Sequence, residues 1–357
     1  MTILKSTIYL IIISLLVISC SKEEPYPERE YVVDAAIVEP NIGGPNEPNQ
    51  IYFDFSTNTQ TEVQRDTWDL RFYSGEEFRV SLNTSVYMAT KQLEATDINA
   101  VNTATVQSML NTVAIGTFNA DNVEYVDDFD GDILKTAIAE VSNVENENKV
   151  YLLNLGYAIS TETPQIGSVA VAGAHRGWRK IRILKQNGKY VLQYAELDET
   201  TYHEVSIEKD TEYNFAFFSF ETNAIVNVEP EKKKWDMCFT VFTNEISGYG
   251  TYGYTDFITT NNLQNVKAYI VSTEEFQFDD FLTTDIEEEK FIATQRAIGS
   301  TWRIGGGPGV SPQIKSNIYY ILKDAEGLYY KLKFSTLTNI GGERGFPRFR
   351  YAIIKIQ

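Results

Sequence analysis

Histidine and cysteine are the scarcest chemistry-bearing residues in this chain, with two of each in 357 residues, beside only four methionines. An acyl-transfer triad needs a histidine or an equivalent base. Neither His175 nor His203 lies near a G-x-S-x-G nucleophile turn, so hydrolysis has no visible machinery. Basic residues are also in deficit, 31 against 49 acidic ones. The resulting net charge of -18 excludes the basic face that nucleic-acid binding requires, and fits a soluble protein displayed outside a cell. Residues 305–309 form a glycine loop without the lysine and hydroxyl residue of a phosphate-binding loop. The apolar run at residues 8–18 spans eleven positions, too few for a bilayer, which takes about 20.

That run nevertheless has the layout of a secretion signal, with Lys5 before it and a small residue, Ser19, preceding Cys20. The ending Val17-Ile18-Ser19-Cys20 resembles the lipobox of bacterial lipoproteins, in which the cysteine is diacylated and becomes the first mature residue. Residues 1–19 are then the signal peptide, and Cys20 anchors the chain in a lipid membrane. Ser21-Lys22-Glu23-Glu24 resembles the surface-export signal of Bacteroidetes lipoproteins, and residues 20–30 are too polar and Pro-rich to pack, so they read as a tether. Only Cys238 remains, which rules out an intrachain disulfide in the mature protein; it sits in a strand pattern as a small buried hydrophobe.

What the chain has in plenty is aromatic residues, 13% of the total with 22 tyrosines, a composition that favours strands. Two segments repeat each other. Residues 53–72, FDFSTNTQTEVQRDTWDLRF, and residues 215–242, FAFFSFETNAIVNVEPEKKKWDMCFTVF, each run from an aromatic strand through a polar turn and a valine (Val63, Val228) to Trp-Asp and a second apolar strand. A second pair, residues 179–195 (RKIRILKQNGKYVLQYA) and 317–334 (NIYYILKDAEGLYYKLKF), reads as two β-hairpins closed by Gly-containing turns. The spacing from Trp68 to Arg179 is 111 residues and from Trp235 to Asn317 is 82, so the copies differ in their loops. The expected fold is mostly β: two tandem antiparallel β-rich domains, residues 31–208 and 209–357, with a few short helices.

Between these landmarks, residues 31–38, 78–82, 150–157, 257–260, 266–271 and 349–353 read as strands. Residues 90–110 carry a loose apolar stripe that predicts a short helix, and the Ser272/Glu275 spacing suggests a capping box. Residues 248–254 (GYGTYGY) and 300–312 read as loops. Asp127-Asp128-Phe129-Asp130-Gly131-Asp132 is similar to a calcium loop, but Gly131 is misplaced and no glutamate closes it, which favours a solvated acidic turn.

The order FxF-S/T…V…WD, then YYILKDAEGLYYKLKF and the trailing GERGFPRFRY strand, resembles the HmuY family of Bacteroidetes surface lipoproteins, best over residues 215–351 with weaker echoes over 51–195. The resemblance implies a non-enzymatic, surface-exposed outer-membrane protein of iron acquisition. Such a protein takes haem from host or environmental haemoproteins and passes it to a TonB-dependent outer-membrane receptor. Family members hold haem iron with two axial histidines or methionines, which meet iron on both faces of the macrocycle. The loop preceding the late hairpin of the second copy reads Gly305-Gly306-Gly307-Pro308, with no such ligand, and the loop before it offers only Tyr249, Tyr252 and Tyr254. In the first copy His175, in a loop, and Met88, after a strand, are the candidate haem-binding residues by chemistry and region, although a lone loop histidine is equally an ordinary surface residue. Arg176, Arg179 and Arg182 are candidate partners for propionates, or else a solvated strand face. The alternative is a module of the same fold that binds a peptide, glycan or partner protein without haem.

Overall fold

Strand follows strand because apolar and aromatic residues alternate with polar ones over most of the chain, which buries one face of each strand. A computed structural model describes residues 33–307 and 309–355. The expected signal peptide, Cys20 and the expected tether lie outside the described residues. The first nine strands are β1 (Ala35–Val38), β2 (Asn49–Asp54), β3 (Thr59–Gln64), β4 (Leu70–Tyr73), β5 (Val80–Leu82), β6 (Ala89–Gln92), β7 (Val150–Asn154), β8 (Trp178–Gln186) and β9 (Lys189–Ala195). Nine more follow: β10 (His203–Ile207), β11 (Phe215–Ser219), β12 (Ala224–Val226), β13 (Met237–Ile246), β14 (Gly250–Thr260), β15 (Lys267–Ser272), β16 (Ile318–Lys323), β17 (Tyr329–Thr338) and β18 (Arg344–Ile353). Arg303–Ile304 and Gln313–Ile314 make a small extra pair.

All named pairings are antiparallel, and they show how closely the halves repeat. One five-stranded sheet has the order β10-β9-β8-β7-β6 and the other β1-β18-β17-β16-β15; the four-stranded sheets are β12-β11-β4-β5 and β3-β2-β13-β14. Adding nine to each strand number, cyclically, converts one set into the other.

The sheets do not respect the halves of the sequence. The aromatic strand β2 pairs with β13, which follows Trp235-Asp236, with Phe53 opposite Met237. Its twin β11 pairs with β4, which follows Trp68-Asp69, with Phe218 opposite Leu70. Likewise β1 pairs with β18 and β10 with β9. A cut between residues 208 and 209 therefore does not separate the folded bodies: one takes β11 and β12 from the second segment, and the other takes β1, β2 and β3 from the first.

Each body is a sandwich of a four- and a five-stranded sheet. One core brings Leu70, Phe72, Val80 and Phe218 against Tyr151, Leu153, Ile183 and Leu192; the other brings Ile51, Phe53, Met237 and Phe239 against Tyr320, Leu332, Phe349 and Tyr351. The opposite faces of the two four-stranded sheets share a third cluster, Tyr52, Trp68, Phe215, Phe217, Val228, Trp235 and Cys238, as period-2 alternation requires. Cys238 is the small buried hydrophobe anticipated, 3% exposed.

Several local expectations change. The hairpin at residues 317–334 is β16–β17, whose topological twin is β7–β8 and not the β8–β9 hairpin at 179–195; the match is one strand out of step because both hairpins pair alternating apolar strands across a turn glycine, Gly188 or Gly327. The stripe at residues 90–110 does give a short helix, Thr103–Val106, after the 3₁₀ turn Ile98–Ala100, and its apolar side chains join one cluster with Val150 and Leu152. Ser272 closes a turn without a helix, Phe276 N–H reaching its carbonyl at 3.1 Å. The acidic segment 127–132 is a docking loop, not a solvated turn. Asp128 Oδ2 accepts the N–H groups of Asp130 and Asp132, Asp130 pairs with Arg296 at 2.7 Å, and loop carbonyls accept from Gln295 and Asn262 of the second sandwich.

Candidate functional site

Loops from both sandwiches enclose a cleft of about 800 Å³. Tyr87, Ile115, Tyr157 and residues 169–172 line one side; Tyr252, Tyr254, Arg303 and Arg344 line the other. Four phenols around one space come from three separate stretches of chain. Tyr252 and Tyr254 belong to β14 and not to a loop, because Gly250 opens the strand by letting the backbone press against Asn119, where an added Cβ would lie 2.2 Å from its carbonyl oxygen. Tyr87 lies flat against Gly253, where any side chain would strike its ring.

Beneath the tyrosines is a buried ionic cluster. Glu47, 1% exposed, accepts the Asp256 N–H on its two carboxylate oxygens at 2.9 and 3.1 Å. Burial, reinforced by the nearby Asp256 charge, pushes the Glu47 carboxyl well above its ordinary range and so favours its neutral form. Asp256 contacts Arg344 and lies 3.5 Å from Arg303 Nε, while Arg344 also donates to Gly305 O and Thr255 Oγ1. Arg303 and Arg344 thus lie side by side under an aromatic cleft, in a protein whose net charge is -18. Arg65, 1% exposed, donates to the carbonyls of Glu47, Ser85 and Val171 and so ties the cleft floor to the turn before Tyr87.

The residues expected to hold haem do not meet in this cleft. Met88 is 1% exposed in the first sandwich core: it follows Tyr87 at the end of the Thr84–Val86 turn, and where Tyr87 reaches the cleft Met88 turns inward. His175 is exposed, but both ring nitrogens are engaged. Nδ1 accepts the Gly177 N–H at 3.1 Å, and Nε2 lies 2.9 Å from Asn154 Oδ1, which also accepts from Gly156 and so calls for a proton on Nε2. Partial burial holds the imidazole below its usual pKa, in keeping with the neutral ring. Its ring packs 5.5 Å from that of Tyr157, so His175 supports the cleft wall from behind. Arg176 is paired with Asp69, Arg179 with Glu196 and Arg182 with Glu145. Among the described residues, no group of three or more His, Cys, Asp or Glu side chains is placed to hold a metal ion.

Tyr87, Tyr157, Arg303, Arg344, Asp256 and Glu47 were not singled out by sequence reasoning. One signal for Tyr87 was present: the strand paired with each Trp-Asp strand, β5 or β14, is followed by an asparagine, Asn83 or Asn261, that opens a short turn, and the turn ends on Tyr87 in one copy and Asn265 in the other.

A family model described as HmuY protein matches residues 46–205 and 211–351, two segments that meet close to the expected division of the sequence repeat. Among solved structures, a crystal structure from Bacteroides vulgatus, described as an HmuY-like haem-binding candidate, is 10% identical, with 91% of this chain and 94% of that chain covered and a TM-score of 0.23. No curated protein matches. The two matched segments together span most of the chain, which therefore belongs to the HmuY family.

Proposed function

We propose that this protein is a lipid-anchored outer-membrane protein, tethered through Cys20, that binds haem in the cleft between its sandwiches for iron acquisition and hands it to a TonB-dependent receptor. The observation that carries the reading is the cleft itself: four tyrosines for stacking and oxygen ligation, above two arginines suited to propionate carboxylates. These residues fit the group in kind. Phenolate oxygen is a ligand of ferric haem, whereas neither His175, with both nitrogens engaged, nor the core residue Met88 offers a free donor atom. When bound, haem supplies the iron to be delivered; the chain's own residues hold the macrocycle and shield it from water. Titrating the mature protein with haemin is expected to give a saturable Soret change near one equivalent, and the double variant Tyr252→Phe/Tyr254→Phe is expected to weaken it. A linear, featureless titration would refute haem binding. It would favour the second reading, a peptide, glycan or protein ligand, which rests on the absence of any histidine or methionine among the cleft-lining residues.

A further inference from the structure

The β13–β14 hairpin of the second repeat is much longer than its counterpart in the first. There β4 and β5, of four and three residues, meet across residues 74–79, whereas β13 and β14, of ten and eleven, run on to a turn at residues 247–249. The repeated unit itself therefore does not need the added length. It is nonetheless held in place by the segment between β6 and β7 of the first sandwich: Gly116 N–H donates to Thr251 O at 2.8 Å, and Thr251 N–H donates to Asn122 Oδ1 at 2.7 Å. Together the two stretches expose three aromatic rings. Phe118 is 65% exposed, Tyr249 60% and Tyr252 44%, and the Phe118 and Tyr252 rings lie 6.0 Å apart.

The backbone at Phe118 is strained, with φ at 53°. Among the described residues eight other than glycine take the left-handed region, and four of these are asparagines, a type that tolerates it. Of the rest, Glu47, Tyr87 and Asp256 are buried, so packing and hydrogen bonds offset the strain. Phe118 has no such compensation, because its ring stands mostly in water and adds little to the core. Strain that the fold does not use points to a role outside it. The charge around these rings is of one sign: residues 111–126 and 242–254 hold three exposed acids, Asp121, Glu124 and Glu245, and no lysine or arginine. Two cations reach these stretches from elsewhere, and both are paired, Lys91 with Glu124 at 3.1 Å and Arg296, which also donates to Asn244, with Asp130 at 2.7 Å. Asp121 and Glu245 have no ion-pair partner among the described residues.

We propose that Phe118, Tyr249 and Tyr252, with Asp121 and Glu245 beside them, form a docking platform for a basic segment of a partner protein. Glu245 stands opposite Thr251 in the hairpin, and Asp121 is next to Asn122, which holds that strand. Exposed rings take guanidinium or ammonium groups on their faces, and nearby carboxylates complete the match. An aromatic ring turns about only two side-chain bonds, so little order is lost on contact, and rings of this kind anchor many protein interfaces. A second copy of the chain suits the surface poorly, since a two-fold contact sets Asp121 and Glu245 against acids of the same patch. The platform does not depend on what the cleft holds. It adjoins the cleft through Tyr252, which belongs to both, so a seated partner borders the cleft mouth.

The test titrates the mature protein with a labelled peptide of alternating arginine and glycine, and with the same peptide carrying glutamine for arginine, by fluorescence anisotropy. Wild type is expected to bind the first saturably and the second not at all. The double variant Phe118→Asn/Tyr249→Ser keeps the net charge, and asparagine suits the left-handed backbone at 118, so the fold is retained; it is expected to bind about ten-fold more weakly. Asp121→Asn/Glu245→Gln is expected to lose a similar factor. A control, Glu221→Gln/Glu326→Gln, removes two exposed acids elsewhere and is expected to change binding by less than about two-fold. Equal losses in the control and in Asp121→Asn/Glu245→Gln, with none in the aromatic variant, would assign binding to the general charge of the molecule and overturn the platform. No saturable binding by wild type would overturn it as well. So would a wild-type dimer in sedimentation that Phe118→Asn/Tyr249→Ser dissolves, because the rings would then be covered by a second copy.

Discussion

The two Trp-Asp corners share a backbone and differ in how they balance charge. Asp69 Oδ2 accepts Phe220 N–H at 2.7 Å and Asp236 Oδ2 accepts Phe55 N–H at 2.9 Å, each fastening the aromatic strand borrowed from the other repeat. The second oxygens diverge: Asp69 Oδ1 pairs with Arg176 at 2.7 Å, whereas Asp236 Oδ1 meets only the Ala325 N–H at 3.3 Å. Burial raises both carboxyls, and Asp236, with Asp324 and Asp54 near it and no cation beside it among the described residues, is raised well above the ordinary range. A corner that is ionic in one copy and favours a neutral acid in the other shows that the duplicated unit requires the hydrogen bond to the borrowed strand, not a fixed charge. Arg176 also carries the loop of His175, so the ionic corner ties the Tyr157 side of the cleft to the sandwich junction.

Removing one partner of a buried ion pair leaves the other charge uncompensated, and Asp69 is fully buried. Arg176→Met is therefore expected to lose on the order of 3–5 kcal/mol in urea unfolding. Asp236→Asn keeps an oxygen toward Phe55 and disturbs only the longer contact, so a loss of about 1 kcal/mol is expected. Equal losses would mean that the corners are energetically alike after all.

How far these contrasts were legible in the sequence depends on what local pattern encodes. Alternation and turn glycines identify strands, and the repeated FxF and Trp-Asp landmarks mark the repeat. They do not say which Trp-Asp strand an aromatic strand will join, because β2 would suit β4 or β13 equally by its own residues. The same limit produced the one-strand slip between hairpins. The cleft was illegible for a related reason: residues 87, 157, 252, 303 and 344 converge only through tertiary pairing. His175 and Met88 were singled out for ligand chemistry, but in the fold one is held by Asn154 and the other packs in the core.

A second contrast predicts pH dependence. Glu229 is buried with Oε1 accepting Phe215 N–H at 3.0 Å, while the residue at the same place in the other repeat, Gln64, is exposed. Burial, opposed in part by Arg71, pushes the Glu229 carboxyl up to about 8 from 4.5. The folded protein thus keeps a proton that the unfolded chain releases. Stability from this group is full below about pH 4.5 and declines as pH rises toward 8, by about 1.4 kcal/mol per unit at most. Asp127 and Asp324, each raised by burial to about 6, add the same sign of slope at the acid end of that window. Glu229→Gln retains the acceptor and removes the proton, so its unfolding midpoint is expected to fall less than that of wild type between pH 6 and 8. Parallel curves for the two proteins would place the slope elsewhere.

The smallest contrast is between the two indoles. Trp68 Nε1–H donates to Gln50 Oε1 at 2.9 Å, but strand equivalence puts Phe215 where Trp235 would need that acceptor, and the Trp235 N–H is buried without a partner. Both rings lie edge to face against an aromatic residue of the borrowed strand, Phe217 for Trp68 and Tyr52 for Trp235, so truncation to phenylalanine removes similar packing from each. Trp68→Phe also leaves the Gln50 carbonyl, on a side chain 6% exposed, without its donor, whereas Trp235→Phe removes a donor that had no acceptor. The first variant is therefore expected to be less stable than the second by about 1–2 kcal/mol in matched denaturation curves. If Trp235→Phe proves equally costly, its indole N–H must be satisfied by water in the small polar cavity it lines with Arg71, and the asymmetry between the corners would narrow to Asp69 and Asp236.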